Sequence, residues 1–108
     1  MKRICAALVC GTILLGGGLA IGHTKKGEKI NGKKEFEEHC AVCHKGGGNI
    51  INPQKTLHRA DREANGVKSV KDITKLVRNP GPGMTRFDKK TLSDKEARAV
   101  AEYIIKTF

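Results

Sequence analysis

The residues of this chain best equipped for chemistry are Cys40, Cys43 and His44, in the run Cys-Ala-Val-Cys-His. Two thiols one helical turn apart, with an imidazole directly behind them, fit three uses: covalent attachment of a haem, a closed zinc site, or a redox-active dithiol. A dithiol oxidoreductase opens a helix that follows a strand, where the helix dipole lowers the first thiol's pKa. Here the pair falls at the end of an expected helix with no strand before it. Structural zinc needs four Cys or His ligands. No second cysteine pair follows, His39 or His58 would have to help, and an imidazole next to a ligating cysteine is hard to aim at the same ion. Haem attachment uses every residue of the run. The two thiols add to the two vinyl groups of one porphyrin, and His44 offers its imidazole to the iron.

The other face of such a ring needs a ligand. Met1 lies in the N-terminal leader, so Met84 is the remaining methionine. A lone methionine more often fills a gap in a core. Met84, however, ends Pro-Gly-Pro-Gly-Met, a loop in which two prolines fix φ and two glycines permit unusual values. Its place in that loop, off any apolar helix face, points to ligation, and a thioether opposite an imidazole raises the reduction potential relative to two imidazoles. His39 and His58 are the rival sixth ligands. His39 sits beside Cys40 on the proximal side and His58 next to Leu57 on a helix, and both read as surface residues.

The chain has 108 residues and a formal net charge of +10. Residues 1–20 read as a secretory signal, with Lys2 and Arg3 leading, Ile4 to Leu15 apolar, and Gly18-Leu19-Ala20 as a cleavage site. Cleavage after Ala20 is the first choice and after Gly22 the second; an uncleaved anchor and a lipid on Cys10 are weaker readings. Removing Lys2 and Arg3 still leaves a net charge of +8. A basic exported protein favours anionic partners, whereas nucleic acid fits neither the compartment nor the sparse aromatics. Cys5 and Cys10 leave with the signal, and a disulfide across two residues would staple little. Three Phe, one Tyr and no Trp make a thin core for so short a chain, which a large apolar cofactor would fill.

Residues 21–30 read as a flexible mature N-terminus and 31–108 as one domain. Asn31 caps a first helix with Gly32, Phe36 and Cys40 on its inner side, stopped by Lys-Gly-Gly-Gly-Asn. Lys55 to Asn65 forms a second, with Leu57, Ala60 and Ala64 inward and Gly66 terminating it. Ser69 to Asp72 resembles a capping box opening a third, with Val70, Ile73, Leu76 and Val77 on its apolar face, which Asn79-Pro80 ends. Ser93 to Glu96 is a full capping box for the last, where Ala97, Val100, Ala101, Ile104, Ile105 and Phe108 repeat at helical spacing. Strand patterns are absent. The expected class is therefore all-α, about four short helices around one haem.

These residues resemble the class I c-type cytochromes, and within them the small soluble carriers that replace plastocyanin in algae and cyanobacteria. "GKKEFEEHCAVCH" is similar to the family's haem-binding helix, "PQKTLHRADREANG" to its central segment, "GMTRF" to its methionine loop and "AVAEYI" to its last helix. The resemblance implies a cytochrome c fold, thioethers at Cys40 and Cys43, and axial His44 and Met84. It also implies that Gly32 and Phe36 pack on Tyr103 and that Lys55 lies near a haem propionate. Thr85 stands where the family usually has Pro, and Leu76 where it often has Gln, which removes a hydrogen-bonding group beside the ring. "NPGPGM" looks more like the monohaem cytochromes of metal-respiring bacteria, so fold and chemistry carry over and photosynthetic partners do not.

The expected function is a one-electron carrier using one six-coordinate haem c, wrapped by Phe36, Leu57, Leu76 and Phe87, with no open iron position and hence no enzyme activity. It would work as an exported, periplasmic monomer meeting redox proteins with acidic faces, with peripheral membrane association allowed. The alternative is a haem sensor in which a small ligand displaces Met84.

Overall fold

The computed structural model describes residues 29–108. The expected signal segment lies outside the described residues, as does the N-terminal stretch apart from Lys29 and Ile30. The chain forms α1 (Gly32–His39), α2 (Ala41–His44), a 3-10 turn (Lys45–Gly47), α3 (Arg59–Ala64), α4 (Val70–Arg78) and α5 (Asp94–Thr107). No strand occurs among the described residues, in keeping with the all-α reading. Among them, no helix is long and apolar enough to cross a membrane.

The helix starts follow the capping chemistry of the sequence. The Asn31 side chain accepts from the N–H groups of Lys33 and Lys34 at the head of α1. Ser69 with Asp72, and Ser93 with Glu96, each form a reciprocal capping box at the heads of α4 and α5. Each box satisfies amide groups that a helix start leaves without intrahelical partners. The expected first helix is two, because Cys40 leaves helical geometry at φ −119°.

The second helix is shorter than the expected 55–65. Residues 55–58 are loop because their backbone groups are engaged across the chain. Lys55 N–H donates to Asn52 O at 2.9 Å and Leu57 N–H to Gly47 O at 2.7 Å, while the Asn49 amide donates to Lys55 O at 2.9 Å. The inward face also differs: Ala60 and Ala64 are exposed, and Arg62 is buried. Gly66, at φ +76°, does end the helix. Val67 N–H returns to Arg62 O and Gly66 N–H to Glu63 O, the paired closing bonds of a helix C-terminus that turns through a left-handed glycine.

α5 is the spine of the domain, burying Ala97, Val100, Ala101 and Ile104 against α1 and α4. Phe36, Ile73, Val77 and Leu92 complete the core. The approach of α1 to α5 depends on Gly32, since a Cβ there would lie 2.2 Å from the Ala99 carbonyl oxygen. That absence lets Phe36 reach the Tyr103 ring at 5.3 Å and the Phe108 ring at 5.6 Å between centroids. The expected packing of Gly32 and Phe36 on Tyr103 is thus present.

Candidate functional site

Between α2, the loop that follows it, α3, α4 and the segment 81–87 lies a cleft of about 340 Å³. Cys40, Cys43, His44 and Met84 all line it. The residues that the sequence singled out for chemistry therefore meet at one place, although Met84 arrives from a loop far along the chain.

The motif side is held from below. α1 ends as Cys40 N–H donates to Phe36 O at 2.8 Å, and α2 begins as His44 N–H donates to Cys40 O at 2.9 Å. Cys40 is buried and Cys43 half-buried, with no disulfide between them. Burial pushes the Cys40 thiol up to about 11, the reverse of the low value that an attacking dithiol needs. Gly46 and Gly47, at φ +64° and +82°, turn the chain back over the motif. That turn brings Gly48 O within 2.8 Å of His44 Nδ1. A carbonyl can only accept, so Nδ1 carries the proton and Nε2 keeps the lone pair that a metal would take.

Asn49 then organises the opposite wall. Its Oδ1 accepts from the N–H groups of Ile51 and Asn52, both at 2.9 Å. Reading the sequence for turns located this asparagine but not the cross-loop bond to Lys55 O. Ile51 meets the methionine loop directly: a Cβ on Gly83 would come within 2.9 Å of Ile51 Cγ2, and Gly83 itself is at φ +89°. The left-handed turn at Gly83 carries the chain into Met84, which is half-buried against the core. The loop is anchored on α4, because Phe87 N–H donates to Val77 O at 3.0 Å and Arg78 donates to Phe87 O at 3.1 Å. Arg78 also pairs with Asp94 at 2.9 Å, which ties the loop to the head of α5.

Leu57, Leu76 and Phe87 line the cleft as expected, but Phe36 does not. Phe36 belongs to the α1–α5 crossing, where its ring packs against those of Tyr103 and Phe108. Of the rival histidines, His58 is exposed and set against the Phe108 ring. His39 reaches the rim of the cleft but faces Glu35 at 3.5 Å and Phe87. Lys55, Thr56, Asp61 and Arg62 form the polar end, where the Thr56 hydroxyl donates to the Asp61 carboxylate. Sequence reasoning missed Arg62 there. Its one clue was faint: Arg59 has Glu63 four residues on, whereas Arg62 has Gly66.

The donor set suits a covalently held haem. It offers two thiols one turn apart, an imidazole with its second nitrogen committed to a carbonyl, and a thioether across an apolar cleft. Zinc fits poorly, because the compact group of potential ligands among the described residues is Glu35, Glu38 and His39, with neither cysteine in it. Val42, Ile51 and Leu76, exposed apolar residues otherwise without explanation, all line the cleft and supply the apolar walls a porphyrin requires.

Comparison with known proteins agrees with this chemistry. Residues 27–104 match the family described as cytochrome c oxidase, cbb3-type, subunit III. The chain is 43% identical over 100 residues to a cytochrome c6 of Synechocystis sp., a match covering 92% of this chain and 82% of that relative. A cytochrome c6 of Bumilleriopsis filiformis is 43% identical over 75 residues, covering 69% of this chain and 86% of its own. Among solved structures, OmcF, outer membrane cytochrome F of Geobacter sulfurreducens, is similar with a TM-score of 0.70 and 45% identity, over 72% of this chain and 99% of that one. Cytochrome c6C of Synechococcus sp. is similar with a TM-score of 0.65 and 37% identity, over 69% of this chain and 90% of that one.

Proposed function

The chain belongs to the class I c-type cytochromes, as a small monohaem electron carrier of the c6 type, and we propose that it is an exported carrier with His44 and Met84 as axial ligands. Its cofactor is one covalent haem c, whose iron takes up and gives back a single electron between the ferric and ferrous states. Cys40 and Cys43 would hold it by thioethers, His44 through Nε2 and Met84 through its sulfur. The observation that carries this ligand set is the convergence of all four side chains on one cleft, with His44 Nδ1 already committed to Gly48 O.

The protein's own part is to hold both ligands still and keep water from them. Leu57, Leu76 and Phe87 make the surroundings apolar. The bonds from Phe87 N–H and Arg78 fix the methionine loop, so little rearrangement accompanies a change of charge. With His44 and Met84 both holding the iron, the haem would offer no position to a substrate, which supports a carrier. Lys and Arg number 21 against 11 Asp and Glu, so redox partners with acidic faces would be steered to it, and association would weaken as salt rises. Its compartment is the periplasm, on the reading of residues 1–20 as a signal. Its pathway would be an electron-transfer chain, respiratory or photosynthetic.

A redox titration of the purified protein with spectra at each step tests this reading. The expected result is one single-electron transition of a low-spin haem that does not bind carbon monoxide when reduced. Met84→Ala should abolish the methionine-to-ferric charge-transfer band and open the iron to carbon monoxide. Rapid carbon monoxide binding by the unaltered ferrous protein would overturn the carrier in favour of a ligand-binding sensor.

A further inference from the structure

The glycines Gly46 to Gly48 carry no side chain that could fix the loop after the haem-binding motif, and Asn49 is the first residue beyond them that can. Its carboxamide is used at both ends. Oδ1 accepts from the N–H groups of Ile51 and Asn52, each at 2.9 Å, and Nδ2 donates to Lys55 O at 2.9 Å. A short carboxamide offers both functions at once, whereas a carboxylate only accepts. Asn49 thereby fixes a turn with the support of one ligand on each side. On one side its chain neighbour Gly48 presents its carbonyl to His44 Nδ1 at 2.8 Å. On the other, Ile51 Cγ2 abuts Gly83, where an added Cβ would lie 2.9 Å away, and the next residue is Met84. Ile51 is 61% exposed, so packing alone does not hold it there, and its place depends on the backbone that Asn49 clamps.

We propose that Asn49 is a positioning residue that couples the two axial ligands, acting through Ile51 on Met84 and through Gly48 on His44. This rests on the ligand reading above. Without the Oδ1 bonds, the N–H groups of Ile51 and Asn52 turn to water and the turn opens. Ile51 then leaves Gly83, and the methionine loop loses the side chain against which its left-handed glycine is set. Met84 yields more readily to a competing ligand as a result. The Gly48 carbonyl moves with the same turn, so the bond to His44 Nδ1 weakens in the same variant. Such a coupling is reciprocal, and displacing Met84 loosens the turn in its own right.

The test is imidazole binding to the haem-loaded ferric protein, followed by loss of the methionine-to-ferric charge-transfer band. Asn49→Ala should bind imidazole about tenfold more tightly than wild type, and Asn49→Asp, which keeps the acceptor, should recover most of that change. Ile51→Ala should act like Asn49→Ala, and the double variant should add little to either, because both changes break one contact. In Asn49→Ala the His44 Nδ1 proton should also exchange faster by NMR. Fully additive effects, an unaltered His44 proton, or an unchanged affinity beside a lowered denaturation midpoint would each overturn the coupling. If Asn49→Ala does not fold, the wild type decides: saturating imidazole should speed amide exchange at Ile51 and Asn52 relative to α5, and unchanged protection there overturns the assignment. A wild-type chain without covalent haem or without the methionine band sinks the parent reading, whereas normal spectra with an unmoved imidazole affinity sink the Asn49 assignment alone.

Discussion

The Nδ1 of His44 donates to the carbonyl oxygen of Gly48 across 2.8 Å, so the tautomer of the histidine is set by a loop and not by its helix. That loop is held in turn by Gly47, where a Cβ would lie 2.5 Å from the Phe108 ring and φ is +82°. Gly47→Ala should therefore move the Gly48 carbonyl away from His44. Losing this acceptor makes the imidazole less basic and the ferric state less favoured. The expected outcome is a higher reduction potential by potentiometry, together with a loss of about 1–3 kcal/mol in chemical denaturation.

Gly83→Ala addresses Met84, the proposed second ligand. The residue is at φ +89° and its Cβ would press on Ile51 Cγ2 at 2.9 Å. Strain on the order of 1–3 kcal/mol should be released by shifting Met84, weakening the methionine charge-transfer band in the ferric spectrum. Combining it with Ile51→Ala should remove the contact but not the backbone strain, and so restore the band only in part. An undiminished band in Gly83→Ala would show that the loop tolerates the change without moving the sulfur.

Gly32→Ala should lower stability by about 1–3 kcal/mol, the usual range for overpacking, because its Cβ would sit 2.2 Å from Ala99 O. The matched control is Gly81→Ala, where a Cβ meets nothing within 4 Å, and its midpoint should stay within the scatter of surface substitutions. Equal effects from the two would refute the close helix crossing.

Acid should weaken the fold through the helix starts. The Asp72 carboxyl is held below its ordinary 3.8 by the Lys68 N–H, the Ser69 hydroxyl and the Ser69 N–H. Asp94 is lowered by its bond to Arg78 and then by Lys89. A carboxyl depressed on folding stabilises above its unfolded pKa, and that contribution disappears as pH falls through the lower folded value. Urea unfolding of Asp72→Asn should show a deficit at pH 7 that narrows below roughly pH 4, where the native carboxyl is also neutralised. A deficit constant across that range would mean that the charge contributes nothing.

Much of the scaffold was legible because it repeats. The capping boxes at Ser69 and Ser93 and the apolar spacing along α5 are local signals, and each element formed where its chemistry asked. Cys40, Cys43 and His44 carry their own spacing, and Met84 was conspicuous in a loop of prolines and glycines. What escaped was set by neighbours distant in sequence. Arg62 lies among Arg59, Asp61 and Glu63 and reads as solvated; its burial follows from the loop that stops α3 beginning at Lys55. Leu92 is fully buried although it stands alone in a polar run with no period. It is turned inward because Asp88 accepts from the N–H groups of Lys90 and Thr91 and its carbonyl from that of Leu92. Phe36 was assigned to the haem wall because aromatic rings suit it, whereas the crossing at Gly32 claims that ring for the contact with Tyr103 of α5.

The Gly32–Ala99 crossing also sets an order of events. It joins the two ends of the domain, so its loop-closure entropy is recovered only after almost the whole chain is available. Until α5 docks, α1 lacks the surface that buries Phe36. A chain emerging N-terminus first would thus hold α1 undocked while the last helix is still being delivered, and cover Phe36 only afterwards.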